Sequence, residues 1–173
     1  MTRANVPRNA GCRRSQSILL WLAITTGWLF SVFSVIQEMC LASACRDTAS
    51  FTLFGINMGW IGIANFSLIM VVLWLRTKYF LLDRVLTAMV FADIGAELRL
   101  LWIQKYIIGG WCPLCVTICC ALFVAVILLV IEKVQAVRSG QESGKDLLAW
   151  TMFAAMMSAA GLGIALVGIR ELT

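Results

Sequence analysis

Residues 112–131 read CPLCVTICCALFVAVILLVI, a Cys-Pro-Leu-Cys tetrapeptide opening a charge-free apolar run. A helix needs roughly 20 mostly apolar residues to cross the hydrocarbon core of a bilayer, and this run supplies them. Pro113 suits the first helical position, where its missing N–H would be unpaired in any case. Cys112 then caps the helix and Cys115 lies one turn in, on the same face. A helix N-terminus stabilises a thiolate, so the pair has the setting of a reactive dithiol–disulfide couple. The alternatives for it are a structural disulfide or two small buried hydrophobes.

The rest of the chain has the same apolar character. Of 173 residues, 61% are hydrophobic and 13% charged, and the mean hydropathy is +0.91. Soluble domains carry about 25% charged residues, so the composition is that of an integral membrane protein. Five stretches qualify as spans: Ser17–Gln37, Ile56–Leu75, Val85–Ile107, Pro113–Ile131 and Leu147–Ile169. Short strands of alternating polarity, the mark of an outer-membrane barrel, are missing from the pattern. The expected fold is an all-α transmembrane bundle of four helices plus a fifth transmembrane helix. Its expected parts are a cytoplasmic tail (1–16), the bundle (17–132), a cytoplasmic loop (133–146), and a fifth helix with a short external end (147–173).

Orientation follows from the basic residues. Ten Lys and Arg fall before span one, between spans two and three, and between spans four and five; three (Arg46, Lys105, Arg170) fall on the other side, and Arg99 lies within span three. That bias puts the N-terminus in the cytoplasm and the C-terminus outside an inner (cytoplasmic) membrane. The net charge of +5 is thus a topology signal and no argument for a nucleic-acid partner. The first apolar run is longer than a signal-peptide core and no small-x-small cleavage site precedes the polar loop, so it reads as an uncleaved span.

This topology sorts the seven cysteines. Cys12 falls in the reducing cytoplasm. Cys40, Cys45, Cys112 and Cys115 all fall at the external face, where disulfides persist. Cys40 and Cys45 lie in a polar loop running from about Glu38 to Gly55. A loop pair of this kind can be a simple staple, or it can exchange electrons with Cys112 and Cys115. Two communicating dithiols on one face of an apolar bundle point to an enzyme, a relay of electrons between thiols and a quinone. A four-cysteine zinc site is the competing use, but one pair opens a membrane helix and the chain has no histidine, so no metal is expected.

The order of these motifs resembles a known family. The loop pair is followed by Phe54-Gly55-Ile56 leading into span two, and then by Trp111-Cys112-Pro113-Leu114-Cys115 opening span four. This is similar to the vitamin K epoxide reductase family in its small bacterial form, over roughly Trp21 to Leu129. The other bacterial family of disulfide-bond-formation quinone reductases has the reverse order, with the Cys-x-x-Cys in the first external loop. The resemblance implies a four-helix bundle around a quinone, either ubiquinone or menaquinone. It implies that Cys115 is the quinone-side cysteine and Cys112 its exchange partner. Cys45 would attack their disulfide, and Cys40 would meet a thioredoxin-like protein outside the membrane. Many bacterial members carry that domain fused after a fifth span; here the sequence ends at Thr173, which implies a separate partner. Where animal members have a tyrosine one turn beyond the motif, this chain has Cys119, which favours plain quinone reduction over epoxide reduction. The remaining alternative is a non-catalytic structural or metal-binding membrane protein.

Several residues have both a structural and a functional reading. Asp93, Glu97 and Arg99 within span three each cost roughly 2.5–3.5 kcal/mol at the membrane centre. Packing and ion pairing between spans is the simpler explanation, a proton route to the quinone the more specific one. Asn65 in span two must find a hydrogen bond in the bundle, and the resemblance makes it a candidate ligand of a quinone carbonyl. Gly55, Gly59 and Gly62 read as close helix packing. Tyr106 and Trp111 read as members of the interfacial aromatic belt.

Overall fold

A computed structural model describes residues 10–40, 51–76, 79 and 81–171, with the backbone alone at 10–14, 37–40 and 171. Each of the five expected spans is a helix: α1 (Ala10–Cys40), α2 (Met58–Leu75), α3 (Leu81–Ile103), α4 (Pro113–Arg138) and α5 (Gly144–Gly168). Helix α3 continues into a single π-helical turn, Gln104–Ile108, that ends on Gly109 at φ +71°. Consecutive helices alternate in direction. One end of the bundle therefore collects the C-terminus of α1, the N-terminus of α2, the C-terminus of α3, the N-terminus of α4 and the C-terminus of α5.

The helices run past the apolar segments that define the spans. Helix α1 continues to Cys40, so this cysteine closes the helix and is not the loop residue expected of it; Cys45 lies outside the described residues. Helix α4 continues through residues 132–138, where charged and polar side chains enter the sequence, because nothing in that stretch breaks a helix. It stops where Gly140 adopts φ +72° and the N–H groups of Gly140 and Gln141 bond back to the carbonyls of Val137 and Ala136. This is the Schellman arrangement, which needs a residue tolerant of the left-handed region at that point. Helix α5 begins directly afterwards with a reciprocal capping box between Ser143 and Asp146. The connection expected over 133–146 thus shrinks to residues 139–143.

Among the described residues, four helical segments are long and apolar enough to cross a membrane: Ser15–Ile36, Met58–Leu75, Pro113–Arg138 and Gly144–Gly168. The chain is a helical membrane protein. Helix α3 has 23 residues, about 34 Å at 1.5 Å per residue, but carries Asp83, Arg84, Asp93, Glu97 and Arg99. Its composition alone does not qualify it as a span, contrary to expectation. Its packing accounts for the charges: α3 lies against α2, α4 and, most extensively, α5. The core joins Leu20 and Ile24 of α1, Phe66 and Ile69 of α2, Leu86 and Val90 of α3, and Leu122 of α4. Large apolar side chains such as Leu22, Phe33, Leu68, Trp74, Ile127 and Met152 point outward, as a lipid-facing surface requires.

A small three-stranded sheet, absent from the sequence reading, covers the cysteine end. Strand β1 (Phe51–Leu53) pairs antiparallel with both β2 (Ile56–Asn57) and β3 (Ile169–Glu171). The β1–β2 turn is Phe54-Gly55 with φ +52° and +81°, and two positive values in a two-residue hairpin make it type I′. Phe54 donates its N–H to the Gly168 carbonyl at 3.0 Å, so the segment leaving the cysteine loop is fastened to the end of α5. Gly55 belongs to this turn, not to helix packing. At the opposite end, Arg76 donates to both carboxylate oxygens of Glu132 at 2.6 and 2.8 Å, and Lys133 pairs with Glu142 at 2.7 Å.

Candidate functional site

Cys112 is the N-cap of α4 in extended conformation, with Pro113 directly after it, and Val116 donates its N–H to the Cys112 carbonyl at 3.1 Å. The motif therefore opens the helix as its spacing predicts. Cys112 is buried, while Cys115 is half-buried and faces inward.

What holds Cys112 was not anticipated. Gln104, in the π turn and 0% exposed, accepts the Cys112 N–H on its Oε1 at 3.2 Å. This bond joins the end of α3 to the start of α4 at the first cysteine of the motif. π turns inside helices often occur at functional sites. The signal was available, since Gln104 is a polar residue inside a predicted apolar span. Replacing Gln104 with Leu strands a buried N–H, a loss of about 1–3 kcal/mol. The Gln104 Nε2 is itself buried without a hydrogen-bond partner, so its removal recovers part of that. We expect a net destabilisation of about 1 kcal/mol. It should be read as a lower unfolding temperature in detergent, with faster alkylation of Cys112.

Beneath the motif lies a cavity of about 260 Å³ to which all five helices contribute. Its wall includes Ser31 and Ser34 from α1, Asn65 from α2, Asp93 and Glu97 from α3, Cys115 from α4, and Gly161 and Ile164 from α5, with Leu53 of β1 above. Two residues singled out separately in the sequence, Cys115 and Asn65, thus share one space. The lining is mostly apolar with a few convergent polar groups, the usual make-up of a small-molecule site. Its volume lies just under the common range of about 300–1,000 Å³ and suits a flat head group of one or two rings. The smallness of Gly59 and Gly62 brings α2 onto α1 along this wall, with Val35 and Ser31 occupying the places where their Cβ atoms would be.

The polar groups in the wall depart from the ion pairing expected for span three. Asn65 donates its Nδ2 to Asp93 Oδ2 at 2.6 Å. Glu97 Oε2 is sealed from solvent and has no hydrogen-bond partner. Arg99 pairs with neither carboxylate; its guanidinium lies 4.4 Å from the Trp102 ring centre. The reason is helical geometry, since residues two apart on a helix point in different directions. Among the described residues, the ion pairs are all at the far end of the bundle.

Outside the cavity, Tyr106 and Trp111 are exposed near the cysteine end, in keeping with an interfacial belt. Cys119 is buried and Cys120 exposed along α4. The structure brings Cys115 and Asn65 into one cavity wall, with Cys112 at the helix cap one turn before Cys115. It sets the backbone of Cys40 at the same end of the bundle, and the expected role of Cys45 concerns a residue beyond those described. No protein-family model matches the chain, and no curated protein matches it.

Proposed function

We propose that the chain is a membrane thiol–disulfide oxidoreductase of the vitamin K epoxide reductase type, oxidising a thioredoxin-like partner and reducing a quinone. The observation that carries this reading is the position of Cys115, half of a helix-capping Cys-x-x-Cys, in the wall of a mostly apolar cavity that Asn65 also lines. A quinone bound there would supply a two-electron, two-proton acceptor.

The residues divide the work by position. Cys112 sits at the helix N-terminus, where the unpaired N–H groups favour its thiolate and hence disulfide exchange. Cys115 faces the cavity and is the sulfur that meets the acceptor. The Asn65 amide nitrogen has two N–H groups; one is engaged by Asp93, and the other can hold a carbonyl oxygen in the cavity. Cys40, at the end of α1, and Cys45 beyond it would carry electrons from the partner to Cys112. The basic residues near the other end support an inner-membrane orientation with the cysteine end outside.

The test is turnover. Purified protein in detergent is mixed with a reduced thioredoxin-like protein or a small dithiol and with ubiquinone or menaquinone analogues, and quinone reduction is followed optically. Reduction dependent on the protein is the expected result. Absence of turnover with every donor and quinone, together with stoichiometric bound zinc, would overturn the reading in favour of a metal-binding role.

A further inference from the structure

Helix α3 puts two carboxyl groups, one turn apart, into the cavity wall that holds Cys115. Glu97 lies seven residues before Gln104, which fastens Cys112, so it sits roughly 10 Å along the helix axis from that anchor. Asp93 is about 6 Å deeper. The groups facing them from neighbouring elements carry no positive charge. Helix α2 offers the neutral Asn65 amide, α1 offers Ser31 and Ser34, and α4 offers Cys115, with Cys119 one turn further along. The charged residues of α5, Lys145 and Asp146, are in its first turn at the other end of the bundle. Two ionised carboxylates here would face each other without a counter-ion, and each buried unpaired charge costs several kcal/mol. A protonated carboxyl, by contrast, is a hydrogen-bond donor that an apolar cavity tolerates. The unpartnered Glu97 Oε2 marks where such a donor meets no group of the protein itself.

We infer that Glu97 and Asp93 form a proton relay of this cavity, giving protons to the oxygens of a bound quinone and regaining them from the Cys112 and Cys115 thiols as these are oxidised. This rests on the function proposed above and assigns its proton-handling groups. The balance closes within the site. Joining Cys112 and Cys115 forms one S–S bond and releases two electrons and two protons. Reduction to the quinol takes up two electrons and two protons, as two O–H bonds. Each carboxyl loses a proton towards the acceptor and regains one from the thiols, ending as it began. Asn65, bonded to Asp93, positions the deeper carboxyl.

The experiment compares wild type with Glu97→Gln, Asp93→Asn and Glu97→Asp, all as the full chain in detergent. The first readout is made without quinone: the infrared C=O stretch of protonated carboxylic acid, expected in wild type and diminished in Glu97→Gln. The second is single-turnover quinone reduction by the pre-reduced protein, expected to slow on the order of 100-fold in Glu97→Gln and Asp93→Asn, as loss of a general acid does. Glu97→Asp should recover part of the rate. Retained exchange of the Cys112–Cys115 pair with a small disulfide, at whatever rate, shows that each variant is folded and so separates slowed proton transfer from misfolding. Either carboxyl variant that folds is sufficient. Wild-type turnover together with unslowed variants, or a wild type with no protonated-carboxyl band, overturns this inference alone. A wild type that exchanges disulfides but reduces no quinone overturns the functional reading, and the relay falls with it.

Discussion

Cys115→Ala is expected to abolish quinone reduction even when a small dithiol is the donor, while Cys40→Ala keeps small-dithiol activity and loses only the protein partner. Both parts follow from position. Cys115 is the cysteine of the motif in the cavity wall, whereas Cys40 ends α1 and begins the segment leading to Cys45. A small dithiol needs no docking surface and can reduce the Cys112–Cys115 pair directly. A folded partner needs the outer pair to receive it. The loss at Cys115 should be on the order of a thousandfold or more, as removal of a reacting nucleophile generally is. The measurement is initial quinone reduction with each donor. The reverse pattern, activity surviving Cys115→Ala but not Cys40→Ala with a small dithiol, would assign the quinone to the loop pair. It would also favour the reversed layout of the other bacterial quinone reductases.

The helical part of this fold was readable because hydropathy is a long-window property: about 20 consecutive residues vote on each span, and local exceptions are outvoted. That is why four helices read as spans on composition, whereas α3, with five charges, does not and is placed by its packing against α5. Helix ends were less readable, since apolar runs mark the membrane and not the hydrogen-bonded helix. Residues 132–138 mix charged and polar side chains with apolar ones, yet the helix runs through them to the Gly140 stop. The sheet over the cysteine end escaped for a different reason. Its type I′ turn has Phe54 at the first central position, where Asn, Asp or Gly is the usual sign, and its third strand comes from the far end of the chain.

The candidate site was legible in its residues and not in its assembly. The spacing of Cys112 and Cys115 and the proline between them predicted a helix cap, which is what forms. Asn65 was identifiable as a polar group in an apolar span, but its bond to Asp93 depends on how α2 and α3 are rotated against each other. Rotation is set by packing of small residues, and a single sequence does not reveal which small residues meet. Gln104 was overlooked because a polar residue near a span end reads as interfacial, whereas the π turn leaves it fully buried under Cys112.

The fifth helix is where packing decides most, and it supplies the second large effect. A Cβ on Gly161 of α5 would strike the Ala92 carbonyl, and one on Gly95 of α3 would strike the Ser158 carbonyl. The obstructing atoms are backbone, so no side-chain rotation relieves them, and the helices would have to separate. Separation would also open the cavity, because Gly161 is part of its wall. Gly161→Ala and Gly95→Ala should each destabilise by about 1–3 kcal/mol or more, the usual range for overpacking. Leucine at either position should leave little folded protein. Gly163 on the same helix is the control: a Cβ there meets nothing within 4 Å. Gly163→Ala removes a flexible residue from a helix interior and should be neutral or stabilising by up to about 1 kcal/mol. Thermal unfolding in detergent, followed by size-exclusion of the heated samples, ranks the three alanine variants. Equal unfolding temperatures for Gly161→Ala and Gly163→Ala would mean that α5 does not cross α3 at this point. The fifth helix would then be an appendage to a four-helix unit, as the sequence alone suggests, and not part of the wall around Cys115.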